Sequence, residues 1–309
     1  MTEFPWVSVS GFGAHIQSTR NDLVIKKKNT LDKYPLDSVH HLLIVGGHSI
    51  SSATINQLVR KGITVSFFEP DGSPVGTILP FGEKNPFPLL ELQQQIPRQR
   101  NAVILAQASM KSRIFAIEKI EEQYNTRLLY EGELEILRDS LEEVSFLIKP
   151  DEIQRLNRLV SDMYYEIMAR HIPPEWEFRR RTFRPQKDAV NAMLSFGYAM
   201  LYGCCHVAVI GAGLDPDTGF LHEGRGSLVQ DLVDPLKATM VDRVVFGIAK
   251  ESLRASDFEV SVDRCMLSDH LMKQMISAFY TSINAEKINS QVLNAKTAIQ
   301  QPRELIVQY

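Results

Sequence analysis

Short apolar runs dominate the first quarter of the chain. Val7–Val9, Leu23–Ile25 and Leu42–Val45 are each bounded by glycine or polar residues, which is the pattern of strands. Ser51–Lys61 puts Ile55, Leu58 and Val59 on one helical face and stops at Gly62. Ile63, Val65 and Phe67 then alternate, Pro70-Asp71-Gly72 turns the chain, and Val75–Leu79 completes a hairpin. Residues 1–87 therefore predict a β-domain with one helix. Pro80, Pro86, Pro88 and Pro97, with Gly82, break the pattern, and residues 88–97 read as a linker.

Beyond the prolines the apolar period changes from two to three and four. Val103, Ala106, Met110, Ile114 and Ile117 mark one helix face, and Ile153, Leu156, Val160, Tyr164 and Ile167 mark another over about 151–170. Further helices are predicted at about 130–148, 227–237, 240–250 and 266–283. A long one starts at Asp188, a good N-cap, and runs to Ile210. That stretch is apolar, but Asn191, Ser195 and His206 interrupt it, so it reads as a core helix rather than a membrane span. The last 25 residues are polar and are expected to be partly disordered. The fold class is α+β: an N-terminal β-domain, sandwich-like, followed over 98–309 by a larger all-α domain.

With 44% hydrophobic and 23% charged residues the composition is that of an ordinary globular protein. The net charge of −3 excludes a global basic field, so any nucleic-acid binding has to come from local patches. Cys204, Cys205 and Cys265 form no C-x-x-C pair, which points to a reduced, cytoplasmic protein. The opening Met-Thr-Glu-Phe-Pro-Trp has neither a basic nor an apolar leader region, so no signal peptide is expected.

Two glycine turns invite a nucleotide-binding interpretation and do not support it. Gly46-Gly47 is followed by His48 and Ser49 instead of Lys-Ser/Thr. Gly211 and Gly213 lie at the end of a helical pattern, with Pro216 where a third glycine is needed. Three other places carry more chemistry. Arg179, Arg180, Arg181, Arg184 and Lys187 fall within nine residues, interleaved with Trp176, Phe178 and Phe183. Cations pair with phosphates and aromatic rings stack on bases, although such a run is also what a solvated loop looks like. His222 sits in a glycine-flanked loop ahead of Asp231 and Asp234, whose spacing of three puts both carboxylates on one helix face. An imidazole with carboxylates suits Mn²⁺ or Mg²⁺, and acidic residues in a first helical turn are equally an ordinary helix start. Asn157 falls on or beside the apolar face of its helix, where a polar side chain needs partners in the core or lines a site.

Several ordered blocks together resemble the CRISPR-associated DNA integrases of spacer acquisition, the Cas1 family. Arg184–Tyr202 (RPQKDAVNAMLSFGYAMLY) resembles the family's central helix, Leu214–Glu223 (LDPDTGFLHE) its catalytic-histidine segment, and Ser227–Lys237 (SLVQDLVDPLK) its acidic helix, with Val241–Val245 (VDRVV) following in order. The resemblance spans nearly the whole chain. It implies a metal-dependent endonuclease and integrase that inserts short foreign DNA into a repeat array, a homodimer formed through the β-domains, and a second adaptation protein, Cas2, as partner. It also implies double-stranded DNA as substrate, Mg²⁺ or Mn²⁺ as cofactor, and no membrane. On this resemblance His222 and Asp234 are metal ligands and catalytic residues, and Asp231 is a supporting acid. The basic segment, Arg225 and Lys237 would face DNA phosphates. The family's first ligand, a Glu seven residues before an aromatic pair, falls on Asn157, counted back from Tyr164-Tyr165. Glu152 stands five residues earlier, about 140° around the helix, and cannot take that place. Asn keeps an oxygen but no charge, so the resemblance leaves two alternatives: an active integrase, or a weak or silent member that binds DNA and partners.

Overall fold

A computed structural model describes residues 4–28, 30–183, 186–261, 264–301 and 305–309 of the chain. The N-terminal part holds two four-stranded sheets. In the first, β1 (Trp6–Ser10), β5 (His41–Val45) and β7 (Thr64–Phe68) are parallel, and β8 (Pro74–Ile78) adds antiparallel to β7 at the edge. In the second, β4 (Thr30–Pro35), β3 (Asp22–Lys27) and β2 (His15–Ser18) form an antiparallel meander, and the short β6 (Ser49–Ile50) runs parallel to β2. Helix α1 (Ser52–Arg60) is capped by Ser51, whose hydroxyl accepts the Thr54 amide at 3.1 Å.

Strand β5 explains how the two halves join. All five of its residues are buried. Leu42 and Ile44 face a core shared with Val7, Val9, Ile16, Ile25 and Val65, between the two sheets. Leu43 and Val45 face the other way, with Trp6 and Phe68, into the core of the helical part. A strand covered on both faces reads as a continuous apolar run instead of alternating, as His41–Val45 does. The expected β-domain is therefore sandwich-like, and it rests on the helices with the sheet that contains β5.

The segment 88–97 is not an irregular linker. It contains α2 (Leu90–Gln95), and buried Gln93 from this helix accepts the Asp215 amide at 2.8 Å and donates to the Asp215 carbonyl at 3.1 Å. The prolines flank a short helix that braces a distant loop. Helix α3 (Arg98–Tyr124) then lies along α5 (Pro150–Ala169), with α4 (Glu133–Glu143) between them in sequence. Helix α6 (Ala189–Gly211) begins at Asp188, which accepts the Asn191 amide at 2.7 Å, and ends in a left-handed Gly213 (φ +75°) with Leu214 bonding back to Val209. It is long and apolar enough to span a membrane by length and composition, and much of it is buried against the other helices and the sheet.

Two expectations for the C-terminal half need correction. The region is not all helix: β9 (Phe258–Val260) and β10 (Cys265–Leu267) pair antiparallel before α9 (Asp269–Ser282). Most of the polar tail forms α10 (Ala285–Gln300), which buries Ile288, Val292, Ala295, Ala298 and Ile299 on one face. These positions recur at three and four residues. Asn284 caps the helix by accepting the Lys287 amide at 2.9 Å.

The β7–β8 turn and α6 meet where neither has a side chain. The turn between β7 and β8 carries Gly72 (φ +84°), and a Cβ on Gly203 would lie 1.9 Å from the Asp71 carbonyl oxygen. Both positions need glycine for close backbone approach.

Candidate functional site

A cavity of about 400 Å³ opens beside α5, α6 and the acidic helix α7 (Ser227–Val233). Asn157, His222, Asp234, Lys237 and Arg181 from the sequence expectations all line it. Arg113, Arg158, Asp162, Tyr165, Phe183 and Tyr198 line it as well.

His222 is placed by a network of loop contacts. Asp231, 1% exposed, accepts the amides of Phe220, Leu221 and His222 at 2.6, 2.8 and 3.0 Å. The same carboxylate accepts His222 Nδ1–H at 2.7 Å. Asp231 therefore stands behind the imidazole instead of lining the cavity, and it fixes the ring and its tautomer. Arg98 at the start of α3 clasps the loop from outside, donating to the Phe220 and His222 carbonyls at 3.2 and 3.0 Å. Gly219 is required, since a Cβ there would meet Asp231 Oδ2 at 2.8 Å.

Asp234 lies one turn further, where α7 tightens into a 3₁₀ turn at Asp234–Leu236. Arg113 Nη2 donates to both of its oxygens at 3.2 Å, and Lys237 Nζ donates to Oδ1 at 2.9 Å. Ser109 Oγ–H donates to Oδ2, and Asn157 Nδ2 reaches Oδ2 at 3.2 Å. Arg113 also donates to Asn157 Oδ1 at 3.4 Å. Burial disfavours the charge on Asp234, but Arg113, Lys237 and the Ser109 hydroxyl outweigh it and hold this carboxyl well below the usual range. Arg113 is likewise kept charged: burial works against its charge, and Asp234, Tyr165 and Asp242 together outweigh it. Asn157 is thus satisfied at both ends of its amide.

Four cationic side chains, Arg113, Arg158, Arg181 and Lys237, face two carboxylates, Asp162 and Asp234, around this cavity. Among the described residues no three His, Cys, Asp or Glu side chains gather into a metal-binding group. A divalent ion at Asp234 would compete with two cations already paired to it, with Asn157 offering a neutral oxygen. As placed, the donor set does not fit such an ion.

Behind the cavity wall lies a second polar cluster. A π-helical turn, Ala238–Asp242, carries Asp242, 1% exposed, which accepts the Tyr198 hydroxyl. Tyr198 and Tyr165 hydroxyls meet at 2.5 Å. Burial pushes Asp242 up to about 6, against the Tyr198 hydrogen bond and Arg113.

The basic segment divides. Arg179, Arg180 and Lys187 are exposed, as is Arg225, whereas Arg181 turns inward to Asn191 Oδ1 at 3.0 Å and Ser195 Oγ at 2.9 Å. Arg184 lies outside the described residues. Of the interleaved aromatics, Phe178 is buried and the Trp176 indole donates to the Ala249 carbonyl at 3.0 Å, so neither is free to stack on a base. Phe183 is 75% exposed. Sequence reasoning missed Arg113, Tyr198 and Asp242. Arg113 alone left a trace: it interrupts the apolar stripe of Ala106, Met110 and Ile117, where a cation is out of place.

Residues 7–281 match the family described as CRISPR associated protein Cas1. A Cas1-family protein of Methanospirillum hungatei is 41% identical over 285 residues, covering 92% of this chain and 94% of its own. The CRISPR-associated endonuclease Cas1 of Methanothermobacter thermautotrophicus is 23% identical over 85% of this chain and 78% of its own. Among solved structures, a casposase bound to integration product superposes with a TM-score of 0.82 at 18% identity, covering 98% and 97% of the two chains. A chain of a partial Cas6-RT-Cas1–Cas2 complex superposes with a TM-score of 0.79 at 20% identity, covering 98% of each. At these identities the two superpositions speak for the fold, and the match over residues 7–281 with the 41% relative establishes descent: the chain belongs to the CRISPR-associated Cas1 family of endonucleases and integrases.

Proposed function

We propose that this protein binds DNA in Cas1-type spacer acquisition as a member whose pocket works without a divalent cation, holding and positioning DNA instead of cutting it. The observation that carries this is the Arg113 guanidinium, which donates to both oxygens of Asp234 and to Asn157 Oδ1. A cation is already present where the family resemblance puts a metal. The exposed Arg179, Arg180, Lys187 and Arg225 supply phosphate contacts. Double-stranded DNA, a second copy bound through the β-half and a Cas2-type protein are the proposed partners, in the cytoplasm. The similar chain of the Cas1–Cas2 complex and the casposase held on integration product support DNA and Cas2 in these roles.

A second reading keeps the active integrase, with Mg²⁺ or Mn²⁺ held by His222, Asp234 and the Asn157 oxygen. The intact His222–Asp231 hydrogen bond favours it, because an oriented imidazole is what a ligand or acid–base group needs. Incubating the protein with branched DNA, Mn²⁺ and a Cas2-type partner separates the two. The first reading expects strand binding without cleavage or joining, and tighter Mn²⁺ binding once Asn157→Glu adds a carboxylate. Mn²⁺-dependent joining by the parent protein, abolished by EDTA and by His222→Ala, establishes the second.

A further inference from the structure

Resting on the reading that no divalent cation enters this pocket, we propose that the pocket takes the terminal phosphate of a DNA strand directly, as a phosphomonoester. The sign of the pocket is the first support. Arg113, Arg181 and Lys237, buried or half-buried, face Asp234 in the recess with Asp242 behind its wall, while Arg158 and Asp162 are exposed, and this leaves the recess net positive. Asp234 is shared by Arg113 and Lys237, so one of these two cations has no carboxylate of its own. Arg158 lines the cavity and makes no ion pair or hydrogen bond among the described residues.

Arg181 and Lys237 are also held in place, which members of a solvated cluster are not. The Tyr198 ring has the Arg181 guanidinium at 5.3 Å and Lys237 Nζ at 5.4 Å, and its hydroxyl is tied to Asp242 and Tyr165. Arg181 is further fixed by Asn191 and Ser195, and its buried Nε–H has no partner. Such an orphaned donor in a lined cavity is a place for an acceptor oxygen. Tyr198 is a positioning residue here: it acts through the two cations it carries.

A phosphomonoester carries about −1.5 to −2 charge at pH 7, against one for an internal phosphodiester, and so gains more from a net positive recess. A strand end can also enter a recess that a continuous duplex backbone passes over. The cavity, at about 400 Å³, has room for a nucleotide as well as its phosphate, and exposed Phe183 offers a face for the base.

The test uses the full chain in EDTA with one duplex sequence prepared with a 5′-phosphate, a 3′-phosphate or hydroxyl ends, and with inorganic phosphate as competitor. A phosphorylated end is expected to bind roughly tenfold tighter than a hydroxyl end, the size of one or two charge-assisted hydrogen bonds. Inorganic phosphate should erase the difference, and so should Arg158→Ala, an exposed position whose loss leaves the fold intact, and Tyr198→Leu. Equal affinity for all three duplexes, with no cleavage on adding Mn²⁺, overturns this inference and leaves the metal-free reading standing. Equal affinity with Mn²⁺-dependent cleavage overturns both. Binding of inorganic phosphate without preference among the duplexes overturns the assignment to a strand end and leaves a free anion as the ligand.

Discussion

Arg113 and Asp234, 121 residues apart in sequence, form a two-pronged ion pair with both carboxylate oxygens 3.2 Å from Nη2. Their side chains are 5% and 12% exposed, so the pair sits at the closed end of the cavity. Removing one partner of such a pair strands the other charge in a poorly solvated place. Arg113→Ala should therefore lower unfolding stability by about 3 kcal/mol. Arg113→Met combined with Asp234→Asn should recover part of that loss, because neither member of the buried pair is left charged and Lys237, 21% exposed, still reaches solvent. Urea unfolding of the two variants measures this, and equal losses in both would show that the pairing is not the cause.

Asp242 predicts a pH dependence of its own. Its carboxyl is raised to about 6 by burial, so the folded state holds that proton more tightly than the unfolded chain does. The stabilisation is full below the unfolded value of about 4 and is lost as pH rises through about 6. Asp234 is shifted the other way, and its effect is common to parent and variant. Asp242→Asn should therefore gain on the parent between pH 4 and 6, by on the order of 2 kcal/mol, with no further change above 7. A stability difference that stays constant over this range would remove Asp242 as the titrating group.

Gly219 sets the His222 loop. A methyl group there collides with Asp231 Oδ2 and with the Ser227 main chain, both at 2.8 Å. Gly219→Ala should cost about 1–3 kcal/mol from overpacking. It should also weaken protection of the Phe220 and Leu221 amides against hydrogen exchange, since both donate to Asp231. Unchanged exchange at these two amides would count against the Asp231 anchor.

The two roles inside the basic segment separate experimentally. Arg179→Ala with Arg180→Ala should flatten the dependence of DNA binding on salt by about two phosphate contacts, a slope change near 2, without moving the melting temperature. Arg181→Ala should lower the melting temperature, because it removes the hydrogen bonds to Asn191 and Ser195 that anchor this segment on α6. A steep salt slope that survives the double substitution would place the phosphate contacts elsewhere.

Much of this was legible in the residues, and the misses share a cause. Asp188 and the apolar run behind it announce α6, and Asn157 declares itself by standing on an apolar helical face. Strands β2 and β4 were not seen, because a sheet open to solvent on one side buries little: β4 hides none of its six residues. Arg113 could be noticed as an oddity on α3, but its meaning depends on Asp234, which only the folded chain brings near. The same holds for Tyr198, an ordinary aromatic until Lys237 and Arg181 are seen on either side of its ring. Local period reports which face is buried. It carries nothing about which buried polar groups meet.

The bare contact between Gly203 and the Asp71 turn has a mechanical consequence. The middle of α6 is seated against main chain at Gly203 with no side chain in between to bend or repack, and Tyr198, five residues earlier on the same helix, lines the cavity. A shift of the β7–β8 turn therefore meets no side chain that could absorb it before the helix whose Tyr198 ring lies between Arg181 and Lys237.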